Sequence, residues 1–202
     1  KWVTDAFVIS QEHGLRARYR WYKETLDAAY AVYGLKFDYI SADQNETDTP
    51  DEAWILYLRH MLDNEKNAPY DYSKIKLIAS DEVGTLNIAE QMVDNSVLRN
   101  AVIGLHYTTF GDSYTNLLNE AYGKEIWYSE GIAPCNVPEL TVQADESGLV
   151  GKNGPIDVAN RIINSYYNGK MVMYEFQPAV AAYYDGACYA PKQLIRAWEP
   201  WS

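Results

Sequence analysis

The chain is poor in the residues that thiol and metal chemistry draw on. Only two of its 202 residues are cysteines, Cys135 and Cys188, so at most one intrachain disulfide is available and a four-thiolate metal site is excluded. Its three histidines, His13, His60 and His106, stand in unrelated contexts, which argues against a zinc centre. There is no glycine-rich phosphate loop, and Asn153-Gly154-Pro155 is only a turn. Ser129-Glu130-Gly131 lacks the flanking glycines that an esterase nucleophile elbow needs. No apolar run reaches membrane-spanning length, and the first residues carry no signal-peptide pattern, which a mature secreted domain would equally lack. Positive charge is scarce too: 17 lysines and arginines face 28 acids, for a formal charge of -11, which disfavours nucleic acid and anionic membranes as partners.

What is abundant is aromatic surface. Eighteen tyrosines and six tryptophans sit in a chain that is 48% hydrophobic and long enough to bury a substantial core. Aromatic faces with polar handles suit the apolar faces of neutral sugar rings, although a tyrosine-rich core boundary is the plainer account of composition alone.

Hydrophobic spacing gives an ordered pattern. Residues 1–13 read as a loop with a short element, and from Leu15 an amphipathic helix carrying Trp21, Tyr22, Leu26, Ala29 and Tyr30 runs to a stop at Gly34. A strand over 37–41 follows. Thr49-Pro50-Asp51-Glu52 reads as a helix start, with Thr49 as cap and Trp54, Ile55, Leu58 and Leu62 on the apolar face. Further strands are expected over 75–79, 101–105, 125–129 and 171–176, separated by helices over 86–94, 114–122 and from Pro155 to a stop at Asn168-Gly169. Residues 131–153 form a long excursion broken by Pro134, Pro138, Gly148 and Gly151, and loops of that length usually bind something or move. Alternation of this kind implies an α/β fold with parallel strands and crossover helices, whose chemistry gathers at the carboxyl ends of the strands.

Those ends read Asn45-Glu46, Ser80-Asp81-Glu82, His106-Tyr107, Ser129-Glu130 and Glu175. Paired carboxylates across a pocket are what glycosidic-bond cleavage needs: one acid to protonate the departing oxygen and one carboxylate to attack the anomeric carbon. Glu46 and Glu130 are the leading pair, with Asp81, Glu82 and Glu175 as rivals on spacing alone. Gln44 and Asn45 can donate to sugar hydroxyls without adding charge, His106 and Tyr107 can hold the sugar or the nucleophile, and Trp127 and Tyr174 can supply a stacking floor. Each has a plainer reading, since a glutamate after a strand is ordinarily solvated and a histidine beside an apolar run is ordinarily structural. Asn45-Glu46-Thr47 also fits the N-glycosylation acceptor pattern, which is short enough to occur by chance.

At Asp38-Tyr39-Ile40 leading to Asn45-Glu46, at 75–81, at Ile103-Gly104-Leu105-His106-Tyr107, at Ile126-Trp127-Tyr128-Ser129-Glu130 and at Glu199-Pro200-Trp201-Ser202, the chain resembles the galactocerebrosidase family of retaining β-galactosidases. The resemblance implies a (β/α)8 TIM barrel of which residues 1–202 hold strands four to eight in a single catalytic domain, the first three strands lying before Lys1. It implies Glu46 as acid/base at the end of strand four, Glu130 as nucleophile at the end of strand seven, and His106-Tyr107 as a pocket-lining pair on strand six. It further implies a β-glycoside or glycoconjugate substrate, no cofactor, the rest of the barrel and accessory β domains as partners, and an extracytoplasmic setting. In that barrel Cys135 and Cys188 fall in neighbouring strand-to-helix regions, which makes them a candidate disulfide. Gln44 departs from the family's aromatic before the Asn-Glu pair, and Glu175 stands where asparagine is usual. These departures leave the class of chemistry intact but loosen the assignment of galactose; the alternative reading is a non-catalytic carbohydrate-binding protein on a partial or decayed barrel.

Overall fold

A computed structural model describes residues 10–42, 50–79, 87–107, 113–132, 155–177, 180–182 and 195–197. In chain order these form α1 (Gln11–Tyr33), β1 (Tyr39–Ser41), α2 (Glu52–Asn64), a 3-10 turn (Tyr72–Lys74), β2 (Lys76–Ile78), α3 (Asn87–Asp94), α4 (Ser96–Ala101), β3 (Gly104–Tyr107), α5 (Ser113–Tyr122), β4 (Glu125–Ile132), α6 (Pro155–Tyr167), β5 (Met171–Gln177), β6 (Val180–Ala182) and β7 (Ile195–Ala197). The expected α/β alternation of five strands with helices is present, and it is consistent with part of a TIM barrel. The chain divides into two compact units, Lys1–His106 and Tyr107–Ser202.

In the first unit β1, β2 and β3 pair in parallel in chain order, with Ile40 opposite Leu77 and Ile78 opposite Gly104. The ladder is fed by Lys76 N–H to the Asp38 carbonyl, 2.9 Å, and Ile103 N–H to the Leu77 carbonyl, 2.9 Å. Short strands of this type are stable only when covered. Trp54, Ile55, Leu58 and Leu62 project from one face of α2, and with Leu77, Ile88, Met92, Leu98 and Leu105 they are almost fully buried.

Local chemistry sets the boundaries. Gly34 ends α1 in the left-handed region at φ 69°, where its N–H bonds the Tyr30 carbonyl at 2.8 Å, and a side chain there would be strained. α1 begins earlier than apolar spacing implies: Ser10 caps it by accepting from His13 N–H at 3.1 Å, so His13 is helical. The cap of α2 is Asp51, not Thr49, because the Asp51 carboxylate reaches the Trp54 amide at 3.1 Å. The strand expected over 101–105 starts at Gly104, and Ala101 instead closes α4. This six-residue helix escaped the periodicity because Asn95 both ends α3 and caps α4, accepting from the Val97 and Leu98 amides.

A polar network joins α1 to the 3-10 turn. Tyr72 donates to Asp27 at 2.5 Å, Lys23 pairs with Asp27 at 2.6 Å, and Tyr19 donates to Glu65 at 2.8 Å. Burial alone would raise the Asp27 carboxyl, but the Lys23 ammonium and the Tyr72 hydroxyl more than offset it and hold it below its ordinary value. At Glu65 burial is likewise outweighed, chiefly by the Asn67 amide and the Tyr19 hydroxyl. Both carboxyls titrate lower folded than unfolded, so their stabilisation is complete above about pH 4 to 5 and is lost as pH falls through the folded values. The urea midpoint should therefore drop between pH 5 and pH 3, and Asp27→Asn should shrink that drop. An unchanged pH dependence in the variant would remove the network from the acid limit.

In the second unit β4 pairs with β5 in parallel, and β6 pairs with β7 in a separate parallel pair that sequence reading did not anticipate. The core of this unit includes Leu118 of α5, Ile126 of β4, Val158 of α6 and Met171 of β5. Gly169 is a close approach: a methyl there would sit 2.8 Å from the Ser165 carbonyl oxygen, so the turn from α6 into β5 admits no side chain. No helix among the described residues is long and apolar enough to cross a membrane.

Candidate active site

In the first unit the described chain leaves β1 at Ala42, and Gln44, Asn45 and Glu46 lie outside the described residues, as do Asp81 and Glu82 after β2. The described backbone on either side of residues 43–49 is hydrogen-bonded from several elements. The Ala42 carbonyl accepts the indole N–H of Trp54 at 2.6 Å, and the Ala42 amide donates to the Ile78 carbonyl at 2.9 Å. Tyr22, reaching across from α1, donates to the Ser41 carbonyl at 2.8 Å. Beyond the segment, Asp51 is bound by Arg18 at 2.6 Å, and that guanidinium lies 4.5 Å from the centre of the Trp54 ring. Sequence reading missed Arg18, Tyr22 and Trp54 as a cluster. Its one legible sign is the spacing of Arg18 and Tyr22, one turn apart on α1.

His106 and Tyr107 occupy the last two positions of β3, two residues later than a strand over 101–105 implies.

In the second unit β4 does not stop at its glutamate. It runs on to Ile132, so Glu130 is a strand residue. The β4–β5 ladder is irregular there: Tyr128 stands opposite Tyr174, but the next pair is Gly131 with Phe176, so Ser129 and Glu130 together stand against the single residue Glu175. This is a β-bulge, a device that bends a strand and redirects what it carries, and it falls at the expected nucleophile. A compensating shift lies just before it, where Ile126 pairs with Met171 and Trp127 already with Met173.

The side chains around the bulge are specific. The Tyr128 and Tyr174 rings stack, with centroids 4.5 Å apart and planes 14° from parallel. Burial pushes the Tyr174 hydroxyl up to about 12, with Tyr128 adding to the rise and the nearby Arg161 of α6 opposing it. Burial raises Tyr128 as well, again opposed by Arg161. Tyr174 has another ring of the same unit as its stacking partner. Trp127 is only 7% exposed and its indole N–H donates to Glu125 at 3.1 Å. Partial burial raises the Glu175 carboxyl above its ordinary value.

Cys135 and Cys188 lie outside the described residues, and the structure describes the backbone of Glu130 only. Among the described residues no group of histidine, cysteine and acidic side chains is placed to hold a metal ion. No curated protein matches the chain. The family model described as glycosyl hydrolase family 59 matches residues 1–202.

Proposed function

Because the chain belongs to glycosyl hydrolase family 59, in keeping with the resemblance to galactocerebrosidases, we propose that it acts as a retaining β-glycosidase with Glu130 as nucleophile and Glu46 as acid/base. Membership over the whole chain makes it a glycoside hydrolase with a carbohydrate substrate, and this match is the observation that carries the reading. The bulge at Ser129-Glu130 supports the role given to Glu130, since a strand irregularity of this kind is a common way to present a reacting group.

In the proposed cycle Glu46, protonated, gives its proton to the glycosidic oxygen while the Glu130 carboxylate attacks the anomeric carbon. The aglycone leaves as the alcohol and a glycosyl ester on Glu130 remains. Glu46, now ionised, takes a proton from water as that water attacks the same carbon, releasing the sugar with its configuration retained and restoring both carboxyls. The two groups must stand about 5 Å apart for this, and the acid's pKa must rise and fall with the charge on its partner. The reading gives Gln44, Asn45, His106, Tyr107 and Glu175 hydrogen bonds to the sugar, and Trp127 and Tyr174 its apolar face. It takes β1 to β5 as strands four to eight of one catalytic barrel domain, completed by the rest of the barrel and accessory β domains, in an extracytoplasmic setting with Cys135 and Cys188 bonded. The sugar is a β-galactoside in this reading, with Gln44 and Glu175 the positions at which specificity departs.

The test is trapping. A 2-deoxy-2-fluoro-β-galactoside with an activated leaving group should accumulate as an ester on Glu130 of the full-length protein, located by peptide mass spectrometry. Galactose binding without labelling would favour a non-catalytic binding protein, and labelling at Glu175 would move the nucleophile. Glu46→Ala should lose about 10²-fold or more in kcat/KM on substrates with poor leaving groups and far less on activated ones, because an activated phenol departs without protonation. Equal losses across leaving groups would remove Glu46 from the acid role.

A further inference from the structure

The two faces of α1 meet different surroundings. Tyr19 and Leu26 are buried in the core, whereas Trp21 is 55% and Val32 67% exposed. At 3.6 residues per turn Trp21 lies about 140° round the helix from Leu26 and about 160° from Tyr19, and Val32 lies within about 20° of Trp21. Helices form the outer layer of an α/β fold, so a face turned away from the core is covered by no further layer of the same fold. On that face the small side chains of Thr25, Ala28 and Ala29 floor a groove of about 480 Å³, which Trp21 closes at one end and Val32 and Tyr33 at the other. The Trp21 ring is steadied edge to face by Tyr22, with centroids 5.3 Å apart, so little freedom is lost when it is buried.

We propose that this face of α1 binds the same face of a second copy of the chain, the two helices running antiparallel about a two-fold axis at Glu24-Thr25. In that register Trp21 of each copy enters the groove of the other over Ala28, which lies seven residues, or about 10.5 Å, along the helix from its own Trp21. A protruding ring and a depression displaced along one stripe suit a two-fold contact, because each then meets its opposite twice. The alanines let the two backbones approach to about 8 Å. Charge does not oppose the pairing: the chain carries -11, but the ions bordering the stripe are matched within α1, Arg20 with Glu24 at 2.7 Å and Arg16 with Glu12 at 3.2 Å. Trp21, Val32 and Tyr33 expose on the order of 450 Å² per copy, and with the groove floor and the arginine stems this reaches roughly the 600 Å² a side at which specific interfaces begin. The association is therefore weak, half-complete at roughly 10–100 μM.

The measurement is sedimentation velocity on the full-length protein from about 1 to 200 μM, which brackets that range. The sedimentation coefficient should rise with concentration. Ala28→Arg, which fills the groove, and Trp21→Ala, which removes the protruding ring, should each raise the half-association concentration at least about tenfold. Both positions are exposed, so both variants keep the fold. Mild oxidation reads the register: Thr25→Cys, at the axis, should cross-link two copies above the level of the unsubstituted protein, and Val32→Cys, about 22 Å along the helix from its counterpart, should not. A protein monomeric throughout, an association that neither variant weakens, or cross-linking through residue 32 in place of residue 25 overturns the pairing.

Discussion

Glu130→Gln is expected to abolish turnover, with kcat/KM falling by at least about 10⁴-fold on any β-glycoside the wild-type protein cleaves, while affinity for the sugar survives. An amide has no anionic oxygen to attack the anomeric carbon, and loss of a covalent nucleophile costs several orders of magnitude in other enzymes that form such intermediates. The substitution preserves shape, so the bulge opposite Glu175 and the stacked Tyr128 and Tyr174 should be undisturbed. The measurements are steady-state kinetics on activated aryl glycosides and calorimetric titration with the free sugar. Activity within tenfold of wild type would exclude Glu130 as nucleophile. Loss of binding together with loss of turnover would assign it to holding the ligand instead.

The second large effect is on stability. Trp54→Ala should destabilise the fold by about 3–5 kcal/mol, the range for deleting a fully buried large aromatic. Three losses contribute: the ring's packing, the cavity left behind, and the Ala42 carbonyl deprived of its donor. Trp21, on the same helix as Tyr22 and 55% exposed, provides the contrast, and its replacement by alanine should cost no more than about 1 kcal/mol. Urea unfolding with an unchanged denaturant slope would measure both. A shift of less than about 1 kcal/mol for Trp54→Ala would mean that α2 repacks without its largest side chain, and the anchoring of Ala42 would lose its basis.

The alternation of strands and helices was legible because it rests on local periodicity and on punctuation such as Gly34 and Asn168-Gly169, which act within a few residues. The cap of α2 was not legible, because Thr49 and Asp51 are both capping types and Pro50 between them suits a first helical position. Only the backbone path, which brings the Asp51 carboxylate to the Trp54 amide, decides between them. α4 was hidden for a related reason, since one asparagine serves two helices. At the candidate site the residue types at the strand ends were readable, but their supports were not. The contact between the Tyr22 hydroxyl and the Ser41 carbonyl, and the stack of Tyr128 on Tyr174, are tertiary events that carry no local signature. The bulge was equally invisible, because Ile126 to Glu130 has the composition of an unbroken strand and the extra residue exists only relative to its partner.

The two irregularities between β4 and β5 run in opposite senses: the register advances by one residue at Trp127 and returns by Gly131. Together they leave the strands with no net slip. Removing a single residue from Ser129-Glu130 would leave one residue against Glu175, so Gly131 and Ile132 would keep Phe176 and Gln177 as partners while the bulge itself was lost. A deletion here should therefore spare the pairing of the two strands and remove the bend at residue 130.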